Sequence, residues 1–198
     1  MDNSKLGNIK KELVDLSAAL GSYKTEGWNQ FPRIDLYMDQ VITYLEKLLN
    51  IFGNTSDSSK TITSSMVNNY VKEGYLKRPV NKKYDRVHLV SLYIMSMLKP
   101  ILPIPLIAGS LNNFNNEEEY QYFYSALTGL QNEAFSSVSQ KLLNLIDNLD
   151  EDDCETSLRL FALQLSSEAN AHRIAAEKIL SLLNENEASN KNDKNKNK

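Results

Sequence analysis

The sequence predicts a mainly α-helical protein. It reads as a helix-turn-helix region, carrying a basic excursion that can form a short β wing, followed by a C-terminal helical bundle or coiled-coil segment. Three observations carry this reading. Seven Gly and five Pro among 198 residues are few for a turn-rich β fold. Apolar residues recur at steps of three and four along most of the chain, the spacing that gathers them on one helical face. From Leu158 through Ala162, Leu165, Ala169, His172, Ala176 and Ile179 to Leu183 these steps alternate without a break, giving a heptad seam of about four repeats.

Leu6, Ile9, Leu13, Leu16 and Leu20 define the first helix, with Gly21 at its end. Residues 21–34 read as a structured loop anchored on the core by Trp28 and Phe31. Asp35 is the expected N-cap of a second helix, because its carboxylate can accept from free backbone N–H groups. Tyr37, Val41, Tyr44, Leu45, Leu48 and Phe52 form the apolar face of that helix, and Gly53–Ser59 is a loop by composition. The third helix is short, capped by Thr63 and closed by Gly74 in the left-handed conformation. Val67, Tyr70 and Val71 face inward, while Ser64, Ser65, Asn68, Asn69 and Lys72 make an outer face that is small, polar and hydrogen-bonding.

Lys77–Lys83 is the basic excursion, read as a short two-stranded wing. A fourth helix is expected from about Arg86 to Leu98, and apolar residues nearly surround it, which implies deep burial. Pro100, Pro103 and Pro105 then enforce a bend before a fifth helix near Pro105–Leu111. Glu117–Leu149 holds one or two helices, with Gly129 as the candidate interruption. Asp150–Asp153 cap the last helix, where acids suit its positive N-terminal end. The expected division is 1–34, N-terminal helix and loop; 35–114, DNA-binding region; 115–184, dimerisation or effector region; and 185–198, a polar disordered tail.

Charge is distributed unevenly. Between Lys60 and Lys99 stand eight basic and two acidic side chains, a net +6 in a chain whose total is −3. A basic island on an acidic body is the electrostatic footprint of nucleic-acid binding. Catalytic chemistry has no comparable signal: the sequence contains no Gly-rich phosphate loop, no nucleophile elbow and no His-Glu-x-x-His. His88 and His172 are the only histidines; His88 lies near the basic element and could meet a phosphate, while His172 sits on the heptad seam. Cys154 is the only cysteine and stands among acids that disfavour its thiolate, so neither a reactive thiol nor a cysteine zinc cluster is expected. No enzyme activity, cofactor or metal is expected.

Val87–Gly109 is largely apolar, but Lys99 and the three prolines argue against a membrane span. The N-terminal segment reads without a secretion signal, and cysteine usage fits a reducing cytoplasm. Abundant Asn, Lys, Ile and Tyr suggest an AT-rich genome.

The run Tyr70-Val71-Lys72-Glu73-Gly74-Tyr75-Leu76 resembles the end of the recognition helix in the MerR-type winged helix, and Tyr84, His88 and Leu89 follow at that group's spacing. Three segments are very similar to the bacterial family catalogued as domain of unknown function 1836, also called YkrK-like. They are Ile34 to Val41, Met66 to Val71 and Val80 to Leu89. The resemblance covers roughly Phe31 to Leu111 and implies a MerR-like DNA-binding element. The basic loop is shorter than a MerR wing and lacks its Tyr-Arg-x-Tyr, and the turn from Gly53 to Ile62 is long for a compact helix-turn-helix.

The functional expectation is a sequence-specific, dimeric transcriptional regulator. Ser64, Ser65, Asn68, Asn69 and Lys72 would face base edges or phosphates in double-stranded DNA, and Lys77, Arg78, Lys82, Lys83 and Arg86 would bind phosphates. Leu158, Leu165, Ala169, His172, Ala176, Ile179 and Leu183 would dimerise, the alternative for this seam being an intramolecular bundle. The runner-up function is a non-catalytic protein-interaction adaptor on the same scaffold. A small-molecule or protein effector is also open, with Tyr120, Tyr122, Phe123 and Tyr124 as candidate pocket residues.

Overall fold

In the computed structural model, residues 3–49, 61–149 and 153–196 are described. The expected loop Gly53–Ser59, together with Phe52, Lys60 and Asp150–Asp152, lies outside the described residues. The described elements run in the order α1 (Asn3–Ser22), a single 3-10 turn (Trp28–Gln30), β1 (Leu36–Tyr37), α2 (Met38–Leu48), α3 (Ser64–Lys72) and β2 (Lys83–Tyr84). They continue with α4 (Arg86–Leu98), α5 (Ile104–Leu111), α6 (Glu117–Asp147) and α7 (Cys154–Lys196). The protein is therefore mainly helical, with one small antiparallel sheet among the described residues.

Contacts divide the chain into two compact units, Met1–Thr25 with Ser125–His172, and Glu26–Tyr124 with Arg173–Lys198. In the first, Leu6, Leu149 and Cys154 are buried together, with Leu145 and Leu158 packed against them. The Ser17 and Ser139 hydroxyls lie 3.0 Å apart, and each also donates to the other residue's carbonyl, at 3.1 and 2.8 Å. With one proton on each hydroxyl, two of these three bonds can form at once, and they keep α1 and α6 in register. Gly21 does not stop α1, which continues to Ser22. A Cβ there would lie 2.8 Å from the Ser139 hydroxyl, so glycine permits the close approach of α6. Gly129 does not interrupt α6 either, which runs unbroken from Glu117 to Asp147.

In the second unit α4 is the central helix. Every residue from His88 to Met97 is buried, as its all-round apolar sequence predicts. Val41, Leu45 and Leu49 of the α2 segment and Val67 and Tyr70 of α3 are buried in the same unit. The expected anchors hold the 21–34 loop: Trp28 and Phe31 are both buried, and Phe31 meets the rings of Tyr44, Tyr93 and Tyr124 edge-on or nearly so at 5.7–5.9 Å. Near the end of α5, the side chain of Asn184 from α7 lies where a Cβ of Gly109 would stand.

The start of α2 differs from the sequence reading. Asp35 does not cap it; Leu36 and Tyr37 are extended, and the helix begins at Met38 with the Tyr37 N–H donating to Gln40 Oε1 at 2.9 Å. Strand pairing claims these two residues before the helix can: Leu36 pairs with Tyr84, and Tyr37 with Lys83. Among the described residues no helix is long and apolar enough to cross a membrane.

Candidate nucleic-acid interface

α3 begins and ends where its sequence dictates. The Met66 N–H donates to Thr63 Oγ1 at 3.2 Å, satisfying one of the free donors of the first turn. At the other end Gly74 has φ +77°, and the N–H groups of Tyr75 and Leu76 both donate to the Tyr70 carbonyl, at 2.8 and 3.0 Å. The left-handed glycine thus reverses the chain immediately after the helix. Ser64, Ser65, Asn68, Asn69 and Lys72 are all exposed, and at 100° per residue they occupy one side of α3. None of them donates or accepts a side-chain hydrogen bond with another described residue.

The basic loop closes in a tight turn. Lys83 N–H donates to the Val80 carbonyl at 2.9 Å, and the two central residues, Asn81 and Lys82, both have positive φ, 51° and 62°. That is the signature of a type I′ hairpin turn, whose twist matches paired strands. Asn81 favours it; Lys82 does not, so the pairing of Val80 with Lys83 and of β2 with β1 must hold it in place. The strand pairing therefore reaches beyond the two-stranded excursion expected within Lys77–Lys83: β2 pairs with β1, a strand two residues long that sequence periodicity is too short to reveal.

The cations of the island separate into two groups. Lys72, Lys77, Arg78 and Lys82 are exposed, and their side chains form no ion pair with another described residue. Lys83 instead lies over the Tyr37 ring, 5.3 Å from its centroid, and Arg86 lies over Trp28 at 5.6 Å with its Nε buried. Lys99 is also engaged: Nζ donates to the Thr61 carbonyl at 2.5 Å, tying α4 to the approach to α3, and burial lowers its pKa. Tyr37 and Trp28 were not legible as cation platforms, since nothing local links them to Lys83 or Arg86.

His88 does not reach the surface to meet a phosphate. It is buried, with Nδ1 2.7 Å from Asp85 Oδ1 and Nε2 3.2 Å from the Lys77 carbonyl, so its ring braces the root of the basic loop against α4. Asp85 also caps α4, accepting from the His88 N–H at 3.0 Å. Hydrogen bonding to His88 holds the Asp85 carboxyl below its ordinary range. The folded carboxyl thus binds a proton more weakly than the unfolded one. Its contribution to stability is full above the ordinary carboxylate pKa, about 4, and is lost as pH falls through the lower folded value. Asp85→Asn, which keeps a capping oxygen, should flatten the acid limb of stability. Urea midpoints between about pH 2.5 and 6 check this; parallel profiles for both proteins would contradict it.

Along the heptad seam, Leu158, Leu165 and Ala176 are half-buried, whereas Ala162, Ala169, His172, Ile179 and Leu183 are exposed. Ile179 and Leu183 leave 58% and 54% of their surface open. Of the four aromatics read as pocket candidates, Tyr120 borders a cavity, Tyr124 is buried in the core, and Tyr122 is 80% exposed.

No curated protein and no solved structure matches the chain. A family model described as "Domain of unknown function (DUF1836)" matches residues 26–127, a span that takes in β1, β2 and α2 through α5 and closely follows the Glu26–Tyr124 part of the second unit. By that match, which covers more than half of its length, the chain belongs to the DUF1836 family.

Proposed function

We propose that the protein is a sequence-specific DNA-binding transcriptional regulator that acts as a dimer in the cytoplasm and catalyses no reaction. In this reading α3 enters the major groove, the Val80–Lys83 turn serves as a MerR-like wing, and α2 and α4 support both. The observation that carries it is the exposed polar outer face of α3 together with the exposed cations of Lys72, Lys77, Arg78 and Lys82 in the same unit, none of which is ion-paired with another described residue. Asn68 and Asn69 have the donor and acceptor pair that reads adenine, and the cations would supply the salt-dependent affinity. Lys83 and Arg86 would contribute less, being engaged with aromatic rings. The open apolar residues of α7, Ile179 and Leu183 among them, support a second copy as partner, and a two-fold dimer calls for a palindromic site.

The test is selection of fragmented genomic DNA on the purified full chain near physiological salt, followed by sequencing. Enrichment of a palindromic site is the expected result. Folded protein that enriches nothing would overturn the reading in favour of a protein-binding adaptor on the same scaffold.

A further inference from the structure

A cavity of about 170 Å³ lies within the second unit, between the first turns of α4, the segment Tyr75–Lys77 that roots the basic loop, and the connection from α5 to α6. Its apolar lining includes Leu76, Val87, Leu111 and the ring of Phe114, which meets Tyr120 edge-on at 5.1 Å. Ser91 and Tyr120 form its buried polar end. The Ser91 hydroxyl lies 2.8 Å from the Val87 carbonyl and 2.7 Å from the Tyr120 hydroxyl; with the serine proton on the carbonyl, the tyrosine proton makes the second contact. Tyr120 is buried, and that burial holds its pKa up to about 12, which keeps it a neutral hydroxyl. Once its proton is given to Ser91, the phenol oxygen can only accept.

At the rim stand the carboxylates of Asp85 and Glu117 and the ammonium of Lys77, with Asp85 Oδ1 already engaged by His88; Arg33 and Arg86 border the same carboxylates in an adjoining cleft. Two of the nearby amides are engaged with Glu119: Asn115 Nδ2 donates to its Oε2 at 3.0 Å, and Asn116 Nδ2 to its Oε1 at 3.4 Å. What the cavity offers is an aromatic and aliphatic body with two carboxylates at its rim. Its volume is close to that of cavities of about 150 Å³ that take up benzene.

We propose that this cavity binds a small organic cation, a single ring bearing a protonated amine or amidine, with the ring beside Phe114 and the cation toward Asp85 and Glu117. The binding claim stands on the cavity alone. A regulatory consequence, transmitted through Tyr75–Lys77 to the basic loop, rests on the DNA-binding reading.

Amide chemical shifts of the ¹⁵N-labelled full chain, titrated with benzylamine, benzamidine, benzyl alcohol and benzoate, test it. Both cations should shift Leu76, Val87, Ser91 and Tyr120, with Kd near about 1 mM for ligands of this size. Benzoate should not. Glu117 is exposed, so Glu117→Gln is safe for folding and should weaken benzylamine roughly fivefold while leaving benzyl alcohol unchanged. Shifts from benzoate equal to those from benzylamine, or no cavity shifts with either cation, would overturn the proposal. DNA affinity measured with and without benzylamine reads the coupling separately: a change supports it, and no change removes the regulatory role while the site stands.

Discussion

Lys72→Ala with Arg78→Ala in one chain is expected to weaken duplex binding roughly 30-fold at 0.15 M salt and to reduce the slope of log affinity against log salt by about 1.8. Both figures follow from counterion release, in which each neutralised phosphate adds about 0.9 to the slope. These two residues are chosen because both are exposed and neither side chain is tied up by an ion pair with another described residue. Lys72 ends α3, and Arg78 stands at the start of the basic loop. Lys83 and Arg86 would be poorer tests. Removing either disturbs a ring contact that helps hold the sheet or the Trp28 loop, so lost binding could reflect lost structure. The matched control is Lys10→Ala with Lys11→Ala on α1, which changes the net charge equally. Fluorescence anisotropy at several salt concentrations reads the result. If the double variant matched the parent in affinity and slope, α3 and its loop would not be the DNA-binding surface.

Phe31→Ala should have the largest effect on stability, a loss of about 3–5 kcal/mol. Phe31 is only 1% exposed, and its ring contacts Tyr44 of α2, Tyr93 of α4 and Tyr124 of α6. Truncation removes a buried aromatic and leaves a cavity that three other rings cannot readily fill, because their hydroxyls or their helices fix them. Tyr124 donates to the Glu26 carbonyl at 2.5 Å, and Tyr44 to the Gln30 carbonyl at 3.3 Å. Against a typical total of about 5–15 kcal/mol, the loss would unfold much of the population at moderate temperature. Phe31→Leu keeps most of the volume and should cost about 1–2 kcal/mol, whereas Tyr122→Ala, at an open surface position, should stay within about 0.5 kcal/mol. Urea unfolding followed by circular dichroism distinguishes the three. A Phe31→Ala midpoint equal to that of Tyr122→Ala would mean that the loop is not a structural anchor.

Much of the DNA-binding candidate is legible in the amino-acid sequence, because its determinants are local. Thr63 and Gly74 bound α3 through capping and a left-handed glycine, each acting within one turn. The span of α4 and its complete burial follow from apolar residues on all sides. The polar outer face of α3 and the +6 surplus are likewise properties of neighbouring residues. The Ile179 and Leu183 positions are legible as a seam, but periodicity by itself does not say what covers a seam.

Other assignments depended on residues far apart in the chain. Asp35 looks like a helix cap by type, yet pairing with Lys83 and Tyr84 draws the next two residues into a strand. Gly21 looks like a helix stop but serves contact with Ser139, and Gly129 looks like a break but lies within a continuous helix. The sequence by itself determined where the principal helices lie, which faces are apolar and where positive charge concentrates. Hydrogen bonding within a turn and the helical repeat encode these features over a few residues. Only the tertiary structure decided which cations stay exposed, which rings engage Lys83 and Arg86, and which side chains gather around the cavity beside Tyr120. Those outcomes depend on packing that brings distant side chains within a few ångströms, a distance that spacing along the chain does not encode.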